Sequence, residues 1–248
     1  ARALAAAGAS VVMAARSPEK TGAAASRIRD RHPDADLEVR DLDLASLASV
    51  RAFAEGFLGD HRDLHVLVNN AGIMCTPLGT TADGFEQQFG VNHLGHFALA
   101  SLLLPKLAKG KDPRVVVQSS IAPRPAAIDF KNLSGERDYA RQKFYGQSKL
   151  ANLMFALELD RRLRAAGSPI ASIACHPGVA KTELTRQVGW AKLVMPVAAP
   201  LLNTAKQGAL PALQAATDPD AQSGDYYGPY GFMEARGATS GRAVATAT

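Results

Sequence analysis

Strand-like and helix-like segments alternate along most of this 248-residue chain. Short apolar runs of the kind that form buried strands lie near 10–15, 36–40, 63–68, 113–119 and 170–175. Longer segments, with apolar residues at helical spacing, lie near 18–31, 45–58, 80–108 and 138–167. Regular alternation of this kind predicts an α/β fold, in which a parallel sheet carries helices on both faces.

Size and composition indicate one globular domain. Hydrophobic residues make up 47% of the chain and charged residues 21%, which is ordinary for a globular protein. No run reaches the roughly 18 uncharged apolar residues of a membrane-spanning helix. Cys75 and Cys175 are too few for a disulfide framework and suit the reduced thiols of a cytoplasmic protein. We predict a single domain at 1–237 and a mobile tail at 238–248, where most residues are small.

Tyr145 and Lys149 are the first candidates for chemistry. They are four positions apart in a segment predicted to be helical, so both side chains lie on one face of that helix. A nearby cation favours the phenolate form of tyrosine, and the pair can therefore act as a general acid or base. Ser120 follows the strand near 113–119, at the sheet edge where α/β proteins bind ligands. The alternative is an exposed tyrosine beside a solvated lysine.

Further motifs surround these three residues. Asn-Asn-Ala-Gly stands at 69–72, Asn-His-Leu-Gly-His-Phe at 92–97, Tyr-Gly-Gln-Ser-Lys-Leu-Ala-Asn at 145–152 and His-Pro-Gly-Val at 176–179. Together they resemble the short-chain dehydrogenase/reductase family and, in detail, its retinol-dehydrogenase-like branch. The resemblance extends from residue 1 to about residue 237. It implies a doubly wound Rossmann fold and an NAD(P)-dependent oxidoreductase that acts on CH–OH or C=O groups.

The resemblance places the catalytic tetrad of the family on Asn92, Ser120, Tyr145 and Lys149. It implies that Tyr145 donates or accepts the proton and that Ser120 positions the reacting oxygen. Lys149 is expected to lower the pKa of the phenol and to hydrogen-bond the nicotinamide ribose. Asn92 is expected to interrupt its helix and to hold a water that links Lys149 to solvent.

The start of the chain departs from the family pattern. Residues 1–8 have the pattern of a helix that ends at a C-terminal glycine. In the family, a strand and a glycine-rich turn precede this helix, and the turn binds the pyrophosphate through backbone N–H groups. The first strand and the glycine-rich turn are absent from this sequence. We therefore expect it to be a fragment of a longer chain.

The choice of cofactor depends on the end of the strand near 10–15. An acidic residue commonly binds the adenosine ribose diol there, but this chain has Ala15 followed by Arg16. A guanidinium group binds a 2′-phosphate well, and Ser17 can add a hydroxyl contact. We therefore predict NADP in preference to NAD. The alternative is that Arg16 is an ordinary surface arginine at a strand end.

The resemblance implies further cofactor contacts along the chain. Asp43 would contact the adenine, with Leu44 beside it, although Asp43 could also act as a helix N-cap. Asn70, Ala71 and Gly72 would line the adenosine side. The loop over the nicotinamide amide and the phosphates would consist of Pro177, Gly178, Val179 and Thr182.

Metal ions and nucleic acids are not expected as partners. His93 and His96 have helical spacing that could direct two imidazoles at one metal, but no cysteine or carboxylate cluster accompanies them. The net charge is +5, but the basic residues are scattered along predicted helices, as at Arg161 and Arg162. An anionic dinucleotide is therefore the better partner.

The substrate is expected to be an apolar alcohol or carbonyl compound, such as a retinoid, a steroid or a lipid derivative. In the resembled family the region at 184–205 covers the substrate, and its part at 190–202 is apolar and interrupted by prolines. The same segment could instead form a dimer contact, which leaves a homo-oligomer open. Two alternative functions also stay open: a C=C reductase resembling protochlorophyllide reductase, and a non-catalytic NADP sensor or scaffold.

Overall fold

The structure is a computed structural model that describes residues 1–123, 125–179, 203–231, 237 and 239–243. Helices and strands alternate through most of these residues, and the predicted elements appear with changes at their ends, the largest at the start of the helix predicted near 80–108. In chain order the elements are α1 (Arg2–Ala6), β1 (Val11–Ala15), α2 (Pro18–Arg29), β2 (Leu37–Asp41), α3 (Leu47–Asp60), β3 (Val66–Asn69), α4 (Gln87–Phe89), a π-helical turn (Gly90–Leu94), α5 (Gly95–Leu107), β4 (Arg114–Gln118), α6 (Arg141–Ala165), β5 (Ala171–Cys175), α7 (Ala205–Gly208), α8 (Leu210–Thr217), β6 (Asp225–Pro229) and β7 (Thr239–Ala243).

The strands form two hydrogen-bonded groups, β1–β2 and β3–β4–β5–β6–β7. All neighbouring strands are parallel except β6 and β7, which are antiparallel. The parallel arrangement agrees with the prediction from alternating segments. β7 lies within 238–248, the tail that the sequence analysis predicts to be mobile, and it pairs with β6.

Side chains of the central strand β4 alternate between the two faces of the sheet. Val115 and Val117 pack in a cluster with residues of α5, α6 and β5. Val116, on the opposite face, packs in a cluster with β5, β6 and α8. All three valines are at most 1% exposed, as expected for a parallel strand that is covered on both faces. The structure thus confirms a doubly wound sheet with helices on both faces.

The two groups of strands belong to one domain because they share a hydrophobic core. Val50 and Phe57 of α3 pack with Leu99 and Leu103 of α5. Partly buried residues from both groups of strands, including Val12 and Ala14 of β1 and Leu67 of β3, pack against the same cluster. Among the residues that the structure describes, no helix is both long and apolar enough to cross a membrane.

The helix predicted near 80–108 begins later than expected. Thr80 and Glu86 form an isolated antiparallel bridge, and Gly84 adopts a positive φ of 83° in the turn between them. The Thr81 hydroxyl also accepts a hydrogen bond from the Phe85 backbone N–H. Since this turn already uses the local backbone groups, regular helix begins only at Gln87.

Gly95 brings α5 into direct contact with the loop after β2. A Cβ atom at position 95 would lie 2.6 Å from the backbone oxygen of Leu44, which is a buried residue. We expect Gly95→Ala to destabilise the protein by roughly 1–3 kcal/mol, because the backbone must shift to relieve the overlap. Urea denaturation would measure the loss.

Gly22 provides the matched control for this substitution. It lies inside α2, and a Cβ atom there would have no neighbour within 4 Å. Gly22→Ala should therefore leave the stability unchanged or raise it by up to about 1 kcal/mol. Equal effects of the two substitutions would contradict the contact with Leu44 as the cause.

Candidate active site

The predicted site residues lie at the carboxyl end of the parallel strands. The loop after β3 begins at Asn70, the loop after β4 contains Ser120, and the loop after β5 begins at His176. α6 starts beside these loops, because the Ser119 hydroxyl donates a hydrogen bond to the Lys149 backbone oxygen at 2.9 Å. This edge is where parallel α/β sheets bind ligands.

The Ser120 hydroxyl lies near the Tyr145 phenol and lowers its pKa. The Ser120 hydroxyl also accepts a hydrogen bond from the Ala122 backbone N–H at 3.2 Å. Burial raises the pKa of Tyr145, and the nearby Ser120 hydroxyl partly offsets that rise. The phenol is therefore protonated at neutral pH and can act as a proton donor.

Lys149 lies buried in the site, and its ammonium group binds a backbone oxygen at the end of β4. Its side chain is only 4% exposed, and Nζ donates a hydrogen bond to the Gln118 backbone oxygen at 3.1 Å. Burial lowers the pKa of Lys149 to about 8. The effects on the Tyr145 pKa come from burial, Ser120 and Cys75. The ammonium group binds the end of β4, and the expectation that Lys149 lowers the phenol pKa stays a prediction.

Asn92 connects the loop after β3 to α6. Its side-chain oxygen accepts a hydrogen bond from the Ile73 N–H at 2.8 Å, and its Nδ2 donates to the Ile73 oxygen at 2.9 Å. Nδ2 also donates to the Ser148 hydroxyl at 2.9 Å, and that hydroxyl donates to the Tyr145 backbone oxygen. Asn92 therefore holds the loop and the helix turn of Tyr145 together.

The expected interruption of the helix at Asn92 takes the form of the π-helical turn Gly90–Leu94. π-Helical turns widen a helix locally and are frequent at functional sites. The Asn92 backbone oxygen lies 2.9 Å from Nδ1 of the buried His96. Burial lowers the pKa of His96 to about 4, so its ring is neutral at physiological pH.

His93 and His96 have separate hydrogen-bond partners. His93 Nδ1 lies 3.3 Å from the side-chain oxygen of Asn152, whereas His96 contacts the Asn92 backbone. Phe89, Phe97 and Phe155 surround the His93 ring. Within the described residues, no three histidine, cysteine or acidic side chains come together in a way that could hold a metal ion.

Arg16 and Ser17 follow β1 at the same edge of the protein. Arg16 is exposed, and no described carboxylate forms an ion pair with it. The Ser17 hydroxyl caps α2 by accepting a hydrogen bond from the Lys20 N–H at 3.4 Å. The guanidinium group of Arg16 is therefore available to an anionic ligand.

Asp43 and Leu44 lie in the loop after β2. Asp43 accepts a hydrogen bond from the Ala45 N–H at 2.9 Å, whereas Ser46 caps α3. The alternative that Asp43 is the N-cap is therefore wrong, because a side chain closer to the helix occupies that position. Leu44 is buried against Gly95.

Gly72 lies where the loop after β3 approaches both Asn92 and Lys149. A Cβ atom at position 72 would lie 3.1 Å from the Asn92 side-chain oxygen and 3.4 Å from Lys149 Nζ. Asn70 and Ala71, which precede it, are exposed. The loop thus presents small residues and accessible backbone next to the lysine.

The loop after β5 is fixed by a residue that the sequence analysis missed. Asn203 is fully buried; its backbone N–H donates to the Val179 oxygen at 3.0 Å and its side chain to the Pro177 oxygen at 3.1 Å. Gly178 has a positive φ of 67°. Thr182 and most of the region at 184–205, including 190–202, lie outside the described residues.

A buried polar network between the loop after β3 and the start of α6 was also missed. Gln88 accepts a hydrogen bond from the Cys75 N–H and donates to the Tyr139 hydroxyl and to the Arg141 backbone oxygen. The Tyr139 hydroxyl lies 2.9 Å from the Thr76 oxygen. Glu86 accepts hydrogen bonds from the backbone of α4, and its burial raises its pKa. These residues are far apart in sequence and match no short motif.

Comparison with known protein families accounts for this geometry. The model of the short chain dehydrogenase family matches residues 1–192. The chain belongs to the short-chain dehydrogenase/reductase family. Proteins of this family are NAD(P)-dependent oxidoreductases that act on CH–OH or C=O groups, and this short-chain dehydrogenase is one of them.

Its relatives place it in the retinol-dehydrogenase-like branch. Human retinol dehydrogenase 12 is 45% identical over 216 residues, which cover 87% of this chain and 68% of the relative. A solved structure of an uncharacterized protein from Mycobacterium paratuberculosis is 42% identical, with a TM-score of 0.78, and covers 96% of this chain and 77% of its own. A solved structure of a gluconate 5-dehydrogenase from Burkholderia cenocepacia, in complex with NADP and tartrate, is 26% identical with a TM-score of 0.57. The match covers 75% of this chain and 68% of the gluconate 5-dehydrogenase chain.

Proposed function

We propose that this short-chain dehydrogenase transfers hydride between NADP and an apolar alcohol or carbonyl compound, with Tyr145 as the general acid or base. The proximity of Tyr145 and Ser120 is the main support, because it places a proton donor beside a hydroxyl that can bind the substrate oxygen. A carbonyl oxygen bound by both hydroxyls would receive the Tyr145 proton as negative charge develops on it. In the opposite direction, the phenolate would accept the proton of the alcohol.

The residues around Lys149 fit a nicotinamide cofactor, which supplies or accepts the hydride when it is bound. Lys149 has three N–H donors, and the bond to the Gln118 oxygen uses one of them. The remaining donors can bind ribose hydroxyl groups. Gly72 leaves room next to Nζ, and Asn92 fixes the loop that contains Gly72. We assign cofactor contacts on the same basis to Asn70, Ala71, Pro177, Gly178 and Val179.

NADP rather than NAD is proposed because of Arg16. The arginine is exposed at the end of β1, and Ala15 stands where a carboxylate would repel a 2′-phosphate. The NADP complex of the gluconate 5-dehydrogenase supports the assignment by analogy. Ser17, Asp43 and Leu44 are proposed to complete the adenosine side of the site.

Removing the Arg16 side chain should reverse the cofactor preference. We expect Arg16→Ala to weaken NADPH binding by roughly 10- to 100-fold, because a charge-assisted hydrogen bond pair to the phosphate is lost. NADH binding should change little. Titration with both cofactors, followed by nicotinamide fluorescence, would measure the two dissociation constants.

Arg31 is a suitable control for the Arg16 substitution. It is also exposed, but it lies just beyond the opposite end of α2. Arg31→Ala should leave both dissociation constants unchanged. Equal losses of NADPH affinity in the two variants would indicate a general charge effect and contradict a specific phosphate site.

An apolar substrate of retinoid, steroid or lipid type is proposed. The relatives named retinol dehydrogenases support this class. A cavity of about 640 Å³ also lies beside the start of α6, next to Gly146, which follows Tyr145. Its size suits a drug-sized ligand. Its described lining residues are mostly apolar, and the polar or charged ones are Asp129, Gln142 and Lys143.

A direct assay would test the activity and the substrate class together. Purified protein would be incubated with NADPH and either retinaldehyde, a steroid ketone, a long-chain aldehyde or a short polar ketone. The proposal requires NADPH oxidation that is faster with the apolar carbonyl compounds than with the polar one. Turnover of the polar ketone alone would exclude the proposed substrate class.

Cellular location and assembly are proposed on separate observations. Cys75 and Cys175 are both free and buried, which supports a reducing, cytoplasmic environment.

Phe97, Leu102 and Met154 on α5 and α6 are between 38% and 50% exposed, which supports a homo-oligomer built through these helices. Light scattering of the purified protein would give the oligomeric state.

A further inference from the structure

Tyr226 reaches Ser120 from a distant part of the sequence. It lies in β6, and its hydroxyl donates a hydrogen bond to the Ser120 backbone oxygen at 3.0 Å. The two residues are 106 positions apart. β6 pairs with β5 through Ala174 and Tyr226, so the sheet itself determines where this hydroxyl lies. The contact therefore joins a rigid strand to the residue that would bind the substrate oxygen.

Ser120 stands just beyond the regular hydrogen bonds of β4. The last bond between the ends of β4 and β5 runs from the Ser119 N–H to the Cys175 oxygen at 2.8 Å. The next residue is Ser120, whose backbone direction determines where its hydroxyl points. A tether on its carbonyl oxygen limits rotation of the peptide group between Ser120 and Ile121. Small errors in the position of a reacting group reduce rates strongly.

We propose that Tyr226 is a positioning residue, which holds the Ser120 hydroxyl in line with the Tyr145 phenol by fixing the Ser120 backbone. The inference rests on the proposed function of Ser120 and extends it to a residue of β6. Tyr226 acts through Ser120 and does not touch the reacting atoms.

The ring of Tyr226 has a second neighbour at the site. The centroid of the His176 ring lies 5.1 Å from that of Tyr226, and His176 Nδ1 accepts a hydrogen bond from the Gly178 N–H at 3.3 Å. Gly228 leaves space for the same imidazole, since a Cβ atom there would lie 2.0 Å from His176 Nε2. The tyrosine thus lies between the loop after β5 and Ser120, and both fix its orientation.

A double-mutant cycle tests the proposal. Tyr226→Phe keeps the ring and removes the hydroxyl, and we expect kcat to fall about three- to tenfold, the effect of one neutral hydrogen bond. Ser120→Ala should lower kcat by itself. If Tyr226 acts through Ser120, adding Tyr226→Phe to Ser120→Ala should cause no further loss. Equal losses in both backgrounds, or no loss in either, would overturn the proposal.

Tyr227 provides a matched control in the same strand. Its hydroxyl donates to the Asp225 carboxylate at 3.0 Å instead of contacting the site. Tyr227→Phe should therefore change thermal stability without changing kcat. A fall in kcat as large as that of Tyr226→Phe would show that any lost hydroxyl in β6 has this effect, and would overturn the specific role of Tyr226.

Amide hydrogen exchange tests the proposal without a measurement of turnover. Tyr226→Phe should speed amide exchange at 120–122, whereas Tyr227→Phe should not. Unchanged exchange in Tyr226→Phe would overturn the positioning role even for a protein without measurable activity. Absence of turnover in the unaltered protein, combined with faster exchange in the variant, would instead refute the proposed function of the site.

Discussion

Replacing Tyr145 with phenylalanine is expected to reduce kcat by about 10²- to 10⁴-fold, the usual contribution of a general acid or base. The phenol is half-buried beside Ser120, and burial raises its pKa, so at neutral pH it carries the proton that carbonyl reduction requires. Phenylalanine keeps the ring in place but has no proton to donate. Single-turnover measurement of NADPH oxidation with an apolar aldehyde would determine the loss.

The affinity for cofactor separates a catalytic role from a structural one. In Tyr145→Phe the dissociation constant of NADPH should stay close to that of the unaltered protein, because the cofactor site is assigned mainly to other residues. Tyr230, which is 58% exposed, supplies the control, and Tyr230→Phe should retain full activity. A Tyr145→Phe variant with full turnover would contradict the proposed mechanism, and an unchanged biological effect would favour a sensor or scaffold.

Lys149→Met is expected to remove most of the activity and at the same time to stabilise the protein at neutral pH. Burial lowers the pKa of Lys149 to about 8, whereas an unfolded lysine titrates near pH 10.4. Below about pH 8 the folded protein must therefore bury a positive charge. This costs up to about 3 kcal/mol, because each pKa unit corresponds to about 1.4 kcal/mol.

The pH dependence of stability shows whether the buried charge of Lys149 is the cause of this effect. Between about pH 8 and pH 10.4 the unfolded chain binds one more proton at Lys149 than the folded chain does, so the stability of the unaltered protein rises with pH there. The advantage of Lys149→Met should be complete below pH 8 and should disappear above pH 10.4. Urea denaturation at pH 7 and at pH 10.5 would measure both values, with Lys20→Met, at an exposed position on α2, as the control. A variant that is less stable at pH 7 would contradict this explanation.

The sequence predicted the first five strands well because each of them carries its own apolar signal. β6, which is parallel to β5, has no such run in its sequence Asp-Tyr-Tyr-Gly-Pro and was not predicted. β4 and β5 are short β-branched or small apolar runs, and their predicted positions differ from the observed ones by one residue at most. β7 carries no such signal and is organised by its partner strand. The helix near 80–108 starts late because the turn at Gly84, with its positive φ, occupies the beginning of the predicted range.

Site residues that lie in a short sequence motif were predicted. Residues that reach the site from a distant part of the sequence were missed. Asn92, Ser120 and Tyr145 stand in recognisable local patterns, and the structure brings them together with Lys149. Tyr226 and Asn203 contact the site from beyond residue 200, and no local pattern marks them. The hydrogen-bond partner of the Lys149 ammonium group was also unpredictable. Helical spacing indicates which face of the helix carries the side chain, but not which acceptor the ammonium group binds.

The buried network of Glu86, Gln88 and Tyr139 has a consequence for engineering substrate choice. An exchange of the segment at 121–140 between members of the family would be an obvious route to new specificity. Tyr139, however, is hydrogen-bonded to Gln88 and to the Thr76 backbone, outside that segment. A transplanted segment would leave those buried partners unmatched. The natural unit of exchange is therefore two separate pieces, 74–89 and 121–141, transferred together.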